Sequence, residues 1–186
     1  APGLSLQSDA AIPDQIALFI DGQGMSVVDR YDGDPETLTY LRQTTVSVGL
    51  HLRPQANRVF IADAAGGQDI LRAMAYGARR IDAVDSHPLY AAFIRHQLSG
   101  LSNLLIDEER VRYHSTTARA FLQASPEVFD LIQLPLGGDG GSGASAFGES
   151  TLLTAEGLHQ LWRHLDADGL LVMPLWTRLP PRSSLK

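Results

Sequence analysis

Apolar positions along this chain change their spacing in a way that separates strands from helices. Val59 to Ala62 is a short unbroken apolar run bounded by a turn, the pattern of a strand buried on both faces of a parallel sheet. Ile70, Leu71, Met74 and Ala75 then recur at helical spacing, and Gly77 stands where a helix C′ residue is expected. Ile81 to Val84 is a second strand, ending in Asp85. Val111 to Ser115, Phe129 to Leu134 and Leu170 to Pro174 read as the third, fourth and fifth. Helices are expected between them. One is capped by Ser86, carries Pro88 in its first turn and buries Leu89, Ala92, Phe93, His96 and Gln97. A short one covers Ala118 to Gln123. The last runs from a Thr154 cap to Leu165 with Leu158, Leu161, Trp162 and Leu165 on its apolar face, and Asp168-Gly169 then turns into the fifth strand. Such alternation requires a parallel sheet with helices on both faces.

The chain before this region is organised differently. Ala1 to Asp14 is small, polar and broken by Pro2 and Pro13, which reads as a flexible lead-in. Ile16 to Ile20 and Met25 to Val28 are β-like runs around Asp21-Gly22-Gln23-Gly24, a hairpin composition. Asp34 caps a helix that Pro35 opens and that runs through Leu38, Leu41, Thr45 and Val48 until Gly49 and Pro54 end it. The expected organisation is a lead-in over 1–14, a hairpin and helix over 15–53, and an α/β domain over 54–186.

Composition narrows the class. The 186 residues suffice for one buried core, and 44% hydrophobic with 19% charged residues is ordinary for a soluble domain. A net charge of −6 with scattered basic residues argues against nucleic acid or an anionic membrane as partner. Cysteine is absent, and the dispersed histidines lack ligand spacing, so no metal is expected. No apolar run approaches the roughly 20 residues needed to span a bilayer. A cytoplasmic location is expected, or the soluble domain of a larger protein. The chain opens at Ala1 without Met and stops at Lys186 within a continuing pattern, so C-terminal strands are expected to be truncated.

The candidate chemistry lies at the first strand's end. Asp63-Ala64-Ala65-Gly66-Gly67 is a small-residue turn leading into a helix, and Asp85 ends the next strand eighteen residues beyond Gly67. The two glycines would let the backbone approach a ligand, the helix N-terminus would offer N–H groups, and Asp85 would accept ribose hydroxyls. That pattern points to an adenosine-type ligand; the alternative is a plain strand-to-helix turn that binds nothing. The glycine-rich run Gly137 to Ser145 reads either as a lid or as a flexible loop.

ADAAGGQD, IDAVDSHP, FDLIQLP and FGESTLLTAEGLHQLWRHLDADGLLVMPLW, in that order and spacing, resemble the spermidine synthase-like family, which shares the Rossmann-like fold of class I S-adenosylmethionine-dependent methyltransferases. The resemblance runs from about Ile16 to the end. It implies S-adenosylmethionine or its decarboxylated form as ligand or co-substrate, a polyamine as acceptor, and aminopropyl or methyl transfer as the reaction; the oligomeric state stays open, a homodimer being one option. By the same likeness Asp63, Ala64, Gly66 and Gly67 line the amino-acid or aminopropyl end, Asp85 with Ser86 and His87 holds the ribose, and Thr116, Thr117 and Leu134 lie around the base. Thr117 stands where the family has an acidic residue, and Pro135 where it has the aspartate that keeps the attacking amine neutral. Replacement bases are Asp139, either swung in or solvated, Glu149, facing the site or the surface, and Tyr40. Arg119 reads as a buried strut or an exposed side chain, and Trp162 and Trp176 as core and rim packing in preference to substrate stacking. The other functional reading is a nucleoside-binding or structural module that has lost its base.

Overall fold

The fold, seen in a computed structural model, is described for residues 3–20, 23–87, 89, 90, 92, 93, 109–135 and 152–174. Its centre is a five-stranded parallel sheet in the order β5-β4-β3-β6-β7. The strands are β3 (Arg58–Ile61), β4 (Arg80–Asp85), β5 (Val111–Ser115), β6 (Phe129–Gln133) and β7 (Leu165–Val172). An antiparallel hairpin precedes them, β1 (Gln15–Ile20) with β2 (Gln23–Asp29). This is the Rossmann-like α/β architecture that the strand–helix alternation predicts.

Helices cover both faces because each strand alternates its apolar side chains between two cores. On one face Val59, Ile61, Ile81, Ala83 and Leu131 meet Ile70, Leu71 and Met74 of α2 (Gln68–Ala75) and Leu38, Tyr40 and Leu41. On the other, Phe60, Val84, Phe129 and Ile132 meet α3 (Ala118–Ala124) and α4 (Ala155–Arg163) through Ala118, Leu122 and Leu161. Gly77, at φ 80°, ends α2 as expected. Its N–H reaches Met74 O at 2.9 Å, and Ala78 N reaches Ala73 O at 3.0 Å, the paired bonds of a Schellman motif.

Several expected elements take another form. The helix after Asp34 is a 3-10 helix over Pro35–Gln43, then a second over Thr45–Ser47, then the short α1 (Val48–Leu52). Two hydroxyls divide it: Thr44 Oγ1 and Ser47 Oγ both donate to Leu41 O, at 2.8 and 2.6 Å, in competition with a continuous α ladder. Gly49 lies within α1 rather than ending a helix, since a Cβ there would overlap Val172 Cγ2. Leu89, Ala92 and Phe93, expected to be buried, are exposed. Leu165 begins β7 instead of closing α4, and Asp168-Gly169 sits inside β7 where its register against β6 shifts. Trp162 is 73% exposed, so it is no part of the core. The lead-in is pinned at its start: Leu4 bridges Thr44, and Thr45 N donates to Gly3 O at 2.8 Å.

Candidate functional site

Neighbours in the sheet place the site. β3 has β4 on one side and β6 on the other: the chain runs outward from β3 through β4 to β5 and then crosses back to β6, a reversal that opens a crevice at the carboxyl ends of the strands. The Asp63–Gly67 turn occupies that edge. Asp63, Ala65 and Gly67 adopt positive φ, at 48°, 43° and 85°. Asp63 and Ala65 thus hold a conformation that glycine adopts freely; aspartate tolerates it, whereas alanine pays about 1–2 kcal/mol. Strain of this kind persists where surrounding contacts fix the backbone. Ala65→Gly should remove it, against about 0.4–1 kcal/mol of added unfolded-state freedom. The expected result is a net stabilisation of about 0.5–1 kcal/mol in chemical denaturation. A less stable variant would show that the turn is not strained at Ala65.

The contacts that fix the turn come from three directions. Ala64 N donates to Val84 O at 2.9 Å and Gly67 N to Ala64 O at 2.8 Å. Ala65 N donates to Asp85 Oδ2 at 2.8 Å, and Gly66 N to Ser26 Oγ at 2.8 Å. The close approach expected of a ligand at Gly66 is made instead by β2. A Cβ on Gly66 would overlap Val27 O and stand 2.7 Å from Ser26 Oγ. The N–H groups of Ala64 to Gly67 are therefore satisfied within the protein.

Asp85 is 4% exposed at the end of β4. Its second oxygen, Oδ1, accepts from His87 N at 2.7 Å. Burial raises its pKa above the usual aspartate value, against the lowering effect of the His87 and Ala65 backbone bonds. Each carboxylate oxygen retains a lone pair, so the group can accept two more donors. Tyr113 lies beside it on β5: burial raises the phenol's pKa, followed by the charges of Asp85, Tyr90 and Asp63. Tyr113 OH and His87 Nδ1 are buried and have no hydrogen-bond partner among the described residues. Buried polar atoms are nearly always paired, so two orphans around Asp85 mark a place for ligand or solvent atoms.

Tyr40 does not offer a free phenol. It is wholly buried and donates to Asp29 Oδ2 at 2.6 Å, and burial with the Asp29 charge raises its pKa far beyond the physiological range. Gln15 Nε2 donates to the other Asp29 oxygen at 2.6 Å, and Gln68 Nε2 approaches the same oxygen at 3.4 Å. Arg72 extends this network through Gln68 Oε1 at 3.0 Å and pairs with Asp69. Gln15, Asp29, Gln68 and Arg72 escaped sequence reasoning. The only local signal was an acid, Asp29, closing an otherwise apolar strand end.

Asp63, Ala64, Gly66, Gly67, Asp85 and His87 thus come together, with Ser86 exposed next to them. Thr116 and Thr117 lie one strand further, past β5. Thr117 Oγ1 accepts from Ala120 N at 3.2 Å, which makes it the N-cap of α3. Leu134 points its side chain into the core shared with α3 and α4, while its N–H donates to Val172 O at 2.9 Å. Pro135 follows it at the edge. Arg119 is half-buried, and its carbonyl accepts from Gln160 Nε2 at 3.3 Å. Asp139, Glu149, the 137–145 loop and Trp176 lie outside the described residues. Among the described residues no group of histidines and carboxylates is placed to hold a metal ion, and no helix is long and apolar enough to cross a membrane. A cavity of about 370 Å³ opens elsewhere, lined by α1 and the end of β7, and none of the candidate residues borders it.

Comparison with known proteins places the fold. No family model and no curated protein sequence matches the chain. Among solved structures, spermidine synthase from Thermotoga maritima matches with a TM-score of 0.55 at 18% identity, over 83% of this chain and 47% of that one. A spermidine synthase in complex with the transition-state analogue AdoDATO matches equally, at 0.55 and 18%. A SAM-dependent methyltransferase from Agrobacterium tumefaciens matches at 0.51 and 15% identity, over 91% of this chain and 55% of the other. The chain spans about half the length of these structures. Its fold is that of spermidine synthase and the S-adenosylmethionine-dependent methyltransferases.

Proposed function

We propose that this chain binds an adenosyl sulfonium ligand, S-adenosylmethionine or its decarboxylated form, at the carboxyl edge of β3 and β4. One observation carries the reading: a buried carboxylate, Asp85, keeps free lone pairs at a turn whose own amides are already satisfied. Hydroxyls of a ribose suit such an acceptor. A phosphate would be repelled by the Asp63 and Asp85 charges, whereas a cationic sulfonium is favoured by them. AdoDATO, held by the matched spermidine synthase, and SAM, on which the matched methyltransferase depends, support an adenosyl ligand.

The sulfonium is a good leaving group, so the protein's task in transfer is to align the acceptor and leave its lone pair free. Methyl transfer to an acceptor already nucleophilic asks no more than this. Aminopropyl transfer to a polyamine needs a base as well, and the described residues supply none at the family's position. Leu134-Pro135 closes β6, and Tyr40 is committed to Asp29. That absence favours the second reading, a nucleoside-binding module without turnover.

Calorimetric titration with S-adenosylmethionine, decarboxylated S-adenosylmethionine and methylthioadenosine tests the binding, with ATP and NAD as phosphate-bearing controls. Binding of the first group and not the controls is expected; no binding by any at millimolar concentration removes both readings. Turnover with a diamine acceptor then separates enzyme from module. The affinity should also depend on pH. Asp85 accepts a hydroxyl best as a carboxylate, and its folded pKa is raised, so binding should strengthen as pH rises through that value. The fold responds in the opposite sense: a raised carboxyl pKa makes the protonated form the more stabilising one, so Asp85's contribution improves as pH falls through it. Affinity measured between about pH 4 and pH 8 checks the sign. A flat profile would place the ligand away from Asp85.

A further inference from the structure

We propose that Ser26 is a positioning residue for the ligand turn, so that ligand binding and docking of the N-terminal hairpin are one coupled event; this rests on the adenosyl-binding reading. Adjacent amides of the turn are held from opposite sides. Ala65 N is taken by Asp85 Oδ2, and the next amide, Gly66 N, by Ser26 Oγ, both at 2.8 Å. The hydroxyl of a hairpin residue therefore holds the peptide plane that leaves the strained Ala65, and the Ala65 N–H in turn holds one oxygen of Asp85. Ser26, Gly66, Ala65 and Asp85 form one line of contacts from the hairpin to the ribose acceptor.

Two features distinguish this from casual packing. Gly66 is buried, and its missing Cβ is what admits Val27: the ideal Cβ position stands 2.8 Å from the Val27 carbonyl carbon. The same strand is tied a second time, where Asp29 meets Tyr40 and Gln68 at the first residue of α2. β2 thus grips the turn and the helix start at separated points. A ligand that orders the Asp85–Ala65 bond also orders Gly66 against Ser26, and the hairpin with it.

Ser26→Ala removes one oxygen and leaves Gly66 N–H without its acceptor. Wild type, Ser26→Ala and Ser26→Thr are titrated with methylthioadenosine, and hydrogen exchange is followed at the Gly66 amide and along β2, with and without ligand. The expected result is faster Gly66 exchange in ligand-free Ser26→Ala, affinity weakened by about tenfold, and recovery of both in Ser26→Thr. Ligand should slow exchange along β2 in wild type. Unchanged Gly66 exchange in Ser26→Ala would show that no clamp exists. Faster exchange with unchanged affinity would make the hydroxyl a structural contact only and overturn the positioning role. A wild type that binds no adenosyl ligand, while its Gly66 exchange still responds to the substitution, would refute the binding reading and the positioning role that rests on it, leaving the clamp as a fold contact.

Discussion

Asp85→Ala should weaken binding of methylthioadenosine by about a hundredfold or more, because the substitution removes two things at once. A charge-assisted bond to a ribose hydroxyl contributes about 1.5–3 kcal/mol. The carboxylate also accepts from Ala65 N and His87 N, and losing that acceptor leaves two backbone donors unpaired at about 1–3 kcal/mol each. The turn then has one anchor fewer against the strain at Ala65. Asp85→Asn separates the contributions. It keeps the shape and one acceptor oxygen, yet turns an NH₂ toward one of the two N–H donors. Its loss of affinity should approach that of alanine, with a smaller loss of stability than a cavity would produce. Methylthioadenosine suits the measurement because it lacks the amino-acid end, so its affinity reports the nucleoside contacts alone. Unchanged affinity in both variants would mean that the ribose lies elsewhere.

What the sequence disclosed about this site was what local pattern encodes. A strand buried on both faces leaves an unbroken apolar run, as Val59–Ala62 does for β3, and the polar-interrupted stretches Ile81–Val84, Val111–Ser115 and Phe129–Leu134 match β4, β5 and β6 within a residue or two. Their order follows from the alternation with helices. Asp85 was readable because an acid at the end of such a run has few structural reasons to be there. Long-range partners were not readable. Gly66 looks like a residue kept small for a ligand, yet the atom that excludes a side chain is Val27 O, some forty residues earlier in a different sheet. Tyr40 looks like chemistry and is a strut for Asp29, a pairing that exists only once the hairpin has folded over the 3-10 helix. Trp162 shows the converse: a helical stripe of Leu158, Leu161, Trp162 and Leu165 suggests a broad buried face, but α4 buries Leu161 and leaves Trp162 outside.

Gly66→Ala should be the most disruptive single-methyl change in this region. Gly66 is not among the positive-φ glycines, so alanine meets no backbone penalty there and any effect must come from the added carbon. That carbon would overlap the Val27 carbonyl oxygen, which belongs to a backbone held by the β1–β2 register and by the Asp29 network. Neither side can yield cheaply. Overpacking of this kind costs about 1–3 kcal/mol, and separating Gly66 N from Ser26 Oγ adds about 1–3 kcal/mol for the unpaired amide. The outcome expected is an undocked hairpin on an otherwise intact sheet: rapid hydrogen exchange along β1 and β2, retained protection in β3, β4 and β6, and adenosyl-ligand affinity lowered at least tenfold. A glycine that served only to turn the chain would tolerate alanine at negative φ with little consequence. Wild-type protection of β2 in Gly66→Ala would therefore show that the hairpin does not press on the turn, and that ligand binding at Asp85 proceeds without it.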